Sequence, residues 1–85
     1  MLVPCTVLIK RRPRRMGKYG VTVARSDELR VTMELAADAD LSCLLLDLGY
    51  TQAEVEHILK ELEPKKTSIQ HPRVIDEFAL RDNGL

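Results

Sequence analysis

The sequence predicts an α+β domain: a small N-terminal three-stranded antiparallel meander within residues 1–36, followed by a helical bundle over residues 40–81. Three observations carry that prediction. Val31, Met33 and Leu35 alternate with Arg30, Thr32 and Glu34, the period of two expected of a half-buried strand. Val55, Ile58, Leu59 and Leu62 recur at helical spacing and form one apolar stripe. The 85 residues, 45% hydrophobic and 31% charged, suffice for one folded core and not for two.

In chain order, Cys5 to Ile9 is an apolar, partly β-branched run. Both of its alternate faces are apolar, which suits a strand covered on both sides. Pro4 is tolerated at a strand beginning. Lys10 to Gly20 (KRRPRRMGKYG) lacks any periodic apolar face and is expected to be an exposed, mobile loop. Val21 to Arg25 and Arg30 to Ala36 then form a hairpin, with Ser26-Asp27-Glu28-Leu29 as its polar turn. Asp40 is placed to N-cap a helix over Leu41 to Leu48, and Gly49 to end it through a positive φ. Thr51 is a second N-cap, and Glu54 three residues on completes a capping box. The acids Glu54, Glu56, Glu61 and Glu63 occupy the faces beside the apolar stripe, and Pro64 stops this helix. Lys65 to His71 reads as a polar loop. Pro72 is placed to open a third helix on which Val74, Ile75, Phe78 and Ala79 share a face, ended by Asp82-Asn83-Gly84.

Composition narrows the function classes. The aromatic residues are Tyr19, Tyr50 and Phe78, with no Trp, so the core must be aliphatic. Net charge is zero but unevenly spread. Residues 1–30 hold eight Lys/Arg against two acids, a net of +6, and residues 31–63 hold one Lys against eight acids, a net of −7. Such a basic front and acidic middle signal either a charged partner or internal attraction. Cys5 and Cys43 sit in apolar runs and are expected to be two buried thiols in a reducing compartment. The apolar start precedes the basic cluster, the reverse of a signal peptide, and is too short to span a bilayer. An intracellular, cytoplasmic protein with no membrane contact is therefore expected.

Cys5, Cys43, His57 and His71 lack the paired short spacing of zinc ligands, so no metal and no cofactor is expected. Met16-Gly17-Lys18-Tyr19-Gly20 lacks the spacing of a phosphate loop, and Asp38 and Asp40 have no companion base. No catalytic residue is assigned, and the chain is not read as an enzyme.

The stretch from Leu44 to Glu63 (LLLDLGYTQAEVEHILKELE) reads as two short helices joined at Leu48-Gly49-Tyr50. The same outline belongs to DNA-binding helix-turn-helix motifs. Here the second helix would present Glu54, Glu56 and Glu61 to the phosphates, and carboxylates repel them. The run also resembles the first two helices of ubiquitin-associated (UBA) domains. It is similar too to the UBA-like C-terminal domain of the Holliday-junction protein RuvA, across about residues 41–81. That resemblance implies a three-helix module that docks on a protein partner through Leu48, Gly49 and Tyr50, with Phe78 and Leu80 from the third helix. The residues support a contact there on their own terms: Gly49 permits close backbone approach, and Tyr50 is a stiff, amphipathic anchor. The competing reading makes Leu48 and Tyr50 core residues that pin the turn.

A second candidate is the basic run. Lys10, Arg11, Arg12, Arg14, Arg15 and Lys18 could hold phosphate or an acidic protein, and Tyr19 could stack on a base. The competing reading is a solvated loop that neutralises the acidic helix. The sequence therefore predicts a non-enzymatic, regulatory protein-interaction module acting through the Leu48-Gly49-Tyr50 junction. The alternative is a nucleic-acid-associated accessory protein acting through residues 10–19, and homo-oligomerisation through exposed sheet edges is a third reading.

Overall fold

The computed structural model describes residues 1–12, 18–25, 30–62 and 67–85. Among these, the chain forms β1 (Leu2–Arg11), β2 (Tyr19–Arg25), β3 (Arg30–Leu35), α1 (Asp38–Asp47), α2 (Gln52–Leu62), β4 (Ser68–Asp76) and α3 (Glu77–Asp82). The strands make one antiparallel sheet in the order β3-β2-β1-β4. β4 runs along the whole of β1, from Lys10↔Ser68 to Leu2↔Asp76.

Register decides which side chains meet the helices. Residues opposite one another across antiparallel strands share a face. One face therefore carries the rows Ile75–Val3, Arg73–Cys5–Arg25, His71–Val7–Val23–Val31 and Ile69–Ile9–Val21–Met33. Val7, Ile9 and Val21 are fully buried there against Leu41, Leu45 and Leu62 of α1 and α2, and Leu80 of α3 joins the same core. Each such aliphatic side chain contributes roughly 1.5–3 kcal/mol on burial, so this aliphatic layer supplies the main drive to fold. The opposite face carries the rows Pro4–Val74, Pro72–Thr6–Ala24–Arg30 and Gln70–Leu8–Thr22–Thr32. Among the described residues no helix covers it.

Several expectations are corrected. The three-stranded meander followed by a UBA-like helical bundle does not form. The chain folds as an α+β domain whose sheet gains a fourth strand from residues 68–76. The third helix expected from Pro72 is that strand, and α3 is a six-residue helix beyond it. The strand escapes notice because its helix-facing positions are Ile69, His71, Arg73 and Ile75, two of them polar. Period-two alternation is thereby masked, and Pro72 is compatible with β4 because β4 is an edge strand. β1 is covered on one face, not both, since its positions Val3, Cys5, Val7 and Ile9 are buried while Leu2 and Pro4 are exposed.

Regular strand extends to Arg11 and resumes at Tyr19, inside the run read as a loop. The remaining loop residues 13–17, the hairpin turn at 26–29 and the stop at Pro64 lie outside the described residues. α1 begins at Asp38 with Ala37 in the cap position and no side-chain cap, so Asp40 is not its N-cap. Cys5 is buried, but Cys43 is exposed on α1.

Candidate functional site

The junction between α1 and α2 forms as its residues dictate. Gly49 has φ +99°. The Tyr50 N–H donates to the Leu45 carbonyl at 3.0 Å and the Gly49 N–H to Leu46 at 3.1 Å, the paired bonds of a Schellman cap. That cap turns Tyr50 inward, so Leu48 is 2% and Tyr50 4% exposed. The same device closes α3. Gly84 has φ +75°, and the Leu85 N–H donates to Leu80 at 2.7 Å, tucking Leu85 against the core. α2 opens with the expected capping box: the Glu54 N–H donates to Thr51 Oγ1 at 3.2 Å, and the Thr51 N–H to Glu54 Oε1 at 2.9 Å.

β4 brings His71 and Arg73 up to that junction. Arg73 donates from Nη1 to Glu54 Oε2 at 2.6 Å, and from Nη2 to Glu54 Oε1 and the Gly49 carbonyl, both at 3.0 Å. Its guanidinium lies 4.1 Å from the centre of the Tyr50 ring, in cation–π range. Tyr50 Oη meets His71 Nε2 at 2.5 Å, with the two rings edge to face. These groups line a shallow cleft of ≈ 300 Å³ between α2 and β4, together with exposed His57 and half-buried Glu61.

The electrostatics follow from those contacts. Hydrogen bonds from Arg73, and then from the Thr51 backbone, hold Glu54 down to about 2. Burial pushes Tyr50 up to about 12, keeping it a neutral phenol. Burial, and then the Arg73 charge, push His71 below its ordinary value and favour the neutral ring; in its Nδ1–H tautomer Nε2 accepts the hydrogen bond from the Tyr50 hydroxyl. Tyr50 Oη is thus engaged with His71, Glu54 with Arg73 and Thr51, and Arg73 also with the junction backbone. Chemically the cluster clamps β4 to the α1–α2 turn.

Three cations of the basic run, Arg11, Arg12 and Lys18, bond the protein's own oxygens. Arg11 donates to the Leu62 carbonyl at the C-terminus of α2 at 3.4 Å, a favourable place for a cation. Arg12 pairs with Glu34 at 2.8 Å and Lys18 with Asp38 at 2.9 Å. Tyr19 is 1% exposed and donates to Asp38 Oδ1 at 2.6 Å, which leaves no ring face for a base. That bond, and then Lys18, lower the Asp38 pKa. Lys10 is exposed, and Arg14 and Arg15 lie outside the described residues.

Of the five expected docking residues, Leu48, Tyr50 and Leu80 are buried, while Gly49 and Phe78 are exposed. Phe78 and Leu80 point to opposite sides of α3, as a two-residue step on a helix requires. Sequence reasoning missed Arg73 and His71, because these polar residues themselves hide the alternation from Ile69 to Ile75. It also missed the uncovered sheet face, where Leu2 is 66% and Val74 57% exposed. No helix among the described residues is long and apolar enough to cross a membrane. Comparison with known proteins finds no family model, no curated protein and no solved structure that matches the chain, so the UBA resemblance finds no support there and the fold itself overturns it.

Proposed function

We propose that the protein is a non-enzymatic interaction module that docks a protein partner on the uncovered face of its sheet. The supporting observation is the composition of that face. Pro4, Val74, Pro72, Thr6, Ala24, Gln70, Leu8, Thr22 and Thr32 form a field without charge, with Leu2 at its rim. Among the described residues, charges stand around it at Lys10, Arg12, Glu34, Arg30 and Asp76. Large side chains left in water beside uncharged neighbours favour a partner that offers an equally uncharged, apolar surface. Phe78, 67% exposed, is a second anchor for such a partner. The Leu48-Gly49-Tyr50 junction serves this reading as the buried hinge-pin of the helix layer, with only its Gly49 backbone at the surface. The nucleic-acid reading has less support, because Arg11, Arg12, Lys18 and Tyr19 already bond the protein's own oxygens.

The test is binary affinity between the purified full chain and a partner captured from native lysate. Val74→Lys should weaken the complex at least tenfold, and Gln52→Lys on the exposed side of α2 should leave it unchanged. Equal binding by Val74→Lys and the wild type would overturn the reading. A retarded DNA or RNA band at low salt, abolished by Lys10→Glu, would put nucleic acid in its place.

A further inference from the structure

The two edges of the sheet are not alike, and the difference points to a second copy of this chain. β3 pairs on one side with β2 and, among the described residues, with no strand on the other. It has no proline, no bulge and no lysine along Arg30-Val31-Thr32-Met33-Glu34-Leu35, and its two charges, Arg30 and Glu34, are of opposite sign. Its helix-facing residues Val31, Met33 and Leu35 pack against the core yet stay half-buried. A row of N–H and C=O groups with no strand partner among the described residues, beside half-covered apolar side chains, is a template for another strand.

The order of residues along β3 says which strand fits. Antiparallel pairing of two identical strands about a two-fold axis at Thr32 sets Arg30 opposite Glu34 of the second copy, and Glu34 opposite its Arg30. Both lie on the uncovered face. Val31 then faces Met33 on the helix-covered side, and each completes the cover of the other. Thr32 meets its own symmetry mate, repeating the Thr22–Thr32 rung already present within the sheet at 3.0 Å. A slip of one residue would set apolar positions against the charged face. A slip of two would lose both Arg–Glu pairs. Arg30 is exposed and has no carboxylate partner among the described residues, and Glu34, although paired with Arg12, keeps 61% of its side chain exposed. The strand is thus complementary to itself in charge, in shape and in face.

We propose that β3 is a self-association edge, through which two copies join antiparallel about Thr32 into one continuous sheet. This rests on β3 alone and is independent of what docks on the uncovered face. Cross-strand charge pairs act twice in such a dimer, so reversing one partner is felt twice.

The experiment is sedimentation of the full chain across the micromolar range, at low and moderate salt. The wild type should show a concentration-dependent dimer. Arg30→Glu, which sets two carboxylates opposite one another at each of the two pairs, should weaken dimerisation tenfold or more. Adding Glu34→Arg to it should restore association to near the wild-type value. The loss of the Arg12 pair in that double variant occurs in monomer and dimer alike and so does not enter their equilibrium. As a second readout, Thr32→Cys in a Cys43→Ser background should crosslink to itself through a short bis-maleimide, whereas Gln52→Cys in that background should not. A wild type monomeric throughout would overturn the proposal. So would a dimer indifferent to Arg30→Glu, or one lost instead in Leu8→Lys, which would mark stacking of the uncovered faces.

Discussion

β3 and β4 are the two outer strands of one sheet, and they are secured in opposite ways. β4 is tied to the helix layer by its own side chains. His71 meets Tyr50, Arg73 grips Glu54 and the Gly49 carbonyl, and Ile75 is buried. Pro72 sits in the same strand, a residue found at edges and a poor template for further pairing. β3 leans on β2, with the Thr22–Thr32 contact and the Arg12–Glu34 pair outside the core. Its apolar positions are half-covered. The lesson is that a small sheet can close one edge with polar clamps drawn from its helices and leave the other as an ordered, unfilled ladder. Loss of a clamp should therefore act on folding, whereas change at β3 should act on association.

The largest effect is expected at the post of the β4 clamp. Tyr50→Ala removes a buried ring that carries the His71 bond and the Arg73 stack, and should cost about 3–5 kcal/mol in urea unfolding. Hydrogen exchange should show β4 amides opening ahead of those in β2. An unfolding midpoint unchanged in Tyr50→Ala would mean that the clamp contributes nothing.

Gly49→Ala tests the turn beneath the clamp. No atom stands within 4 Å of the added Cβ, so the penalty comes from the +99° φ alone. A loss of about 1–2 kcal/mol is expected. A neutral result would show that the turn relaxes to another conformation without releasing Tyr50.

Acid should loosen β4 selectively. Glu54 titrates near 2 in the fold against an ordinary 4.5, so the unfolded chain takes up its proton first. Its stabilising contribution is complete above pH 4.5 and is lost as pH falls toward 2. His71, also lowered, adds a loss that begins as pH falls through its ordinary 6.5, because the fold favours the neutral ring. Glu54→Gln should flatten the lower part of this profile and His71→Gln the upper part, as read from unfolding midpoints across pH. Equal acid sensitivity in the wild type and both variants would separate the clamp from the titration.

The smallest folding effect is expected on β3. Arg30→Ala should change stability by no more than about 0.5 kcal/mol, as at an exposed surface site. The same variant should still weaken dimerisation. If it destabilised the monomer instead, the contrast between the two edges would fail.

Local chemistry alone determined a good part of this molecule. The alternation from Arg30 to Leu35, the Thr51–Glu54 capping box and the positive-φ Gly49 each depend on neighbours within a few residues, and each is present where the residues call for it. The aliphatic stripe of α2 likewise buries Val55, Ile58 and Leu62. Tertiary structure decided what residues 68–76 become. Their helix-facing positions include His71 and Arg73, which a strand can bury only because Tyr50 and Glu54 wait across the cleft. Those partners are about 20 residues away in sequence, 21 for Tyr50–His71 and 19 for Glu54–Arg73, so no local pattern announces them. The Gly49 cap turns Tyr50 inward, and β4 supplies His71 and Arg73 to meet it; the face bearing Leu2 and Val74 is left uncovered. With β4 paired to β1, the three helices lie on one face of a four-stranded sheet, and the other face is left to the solvent among the described residues.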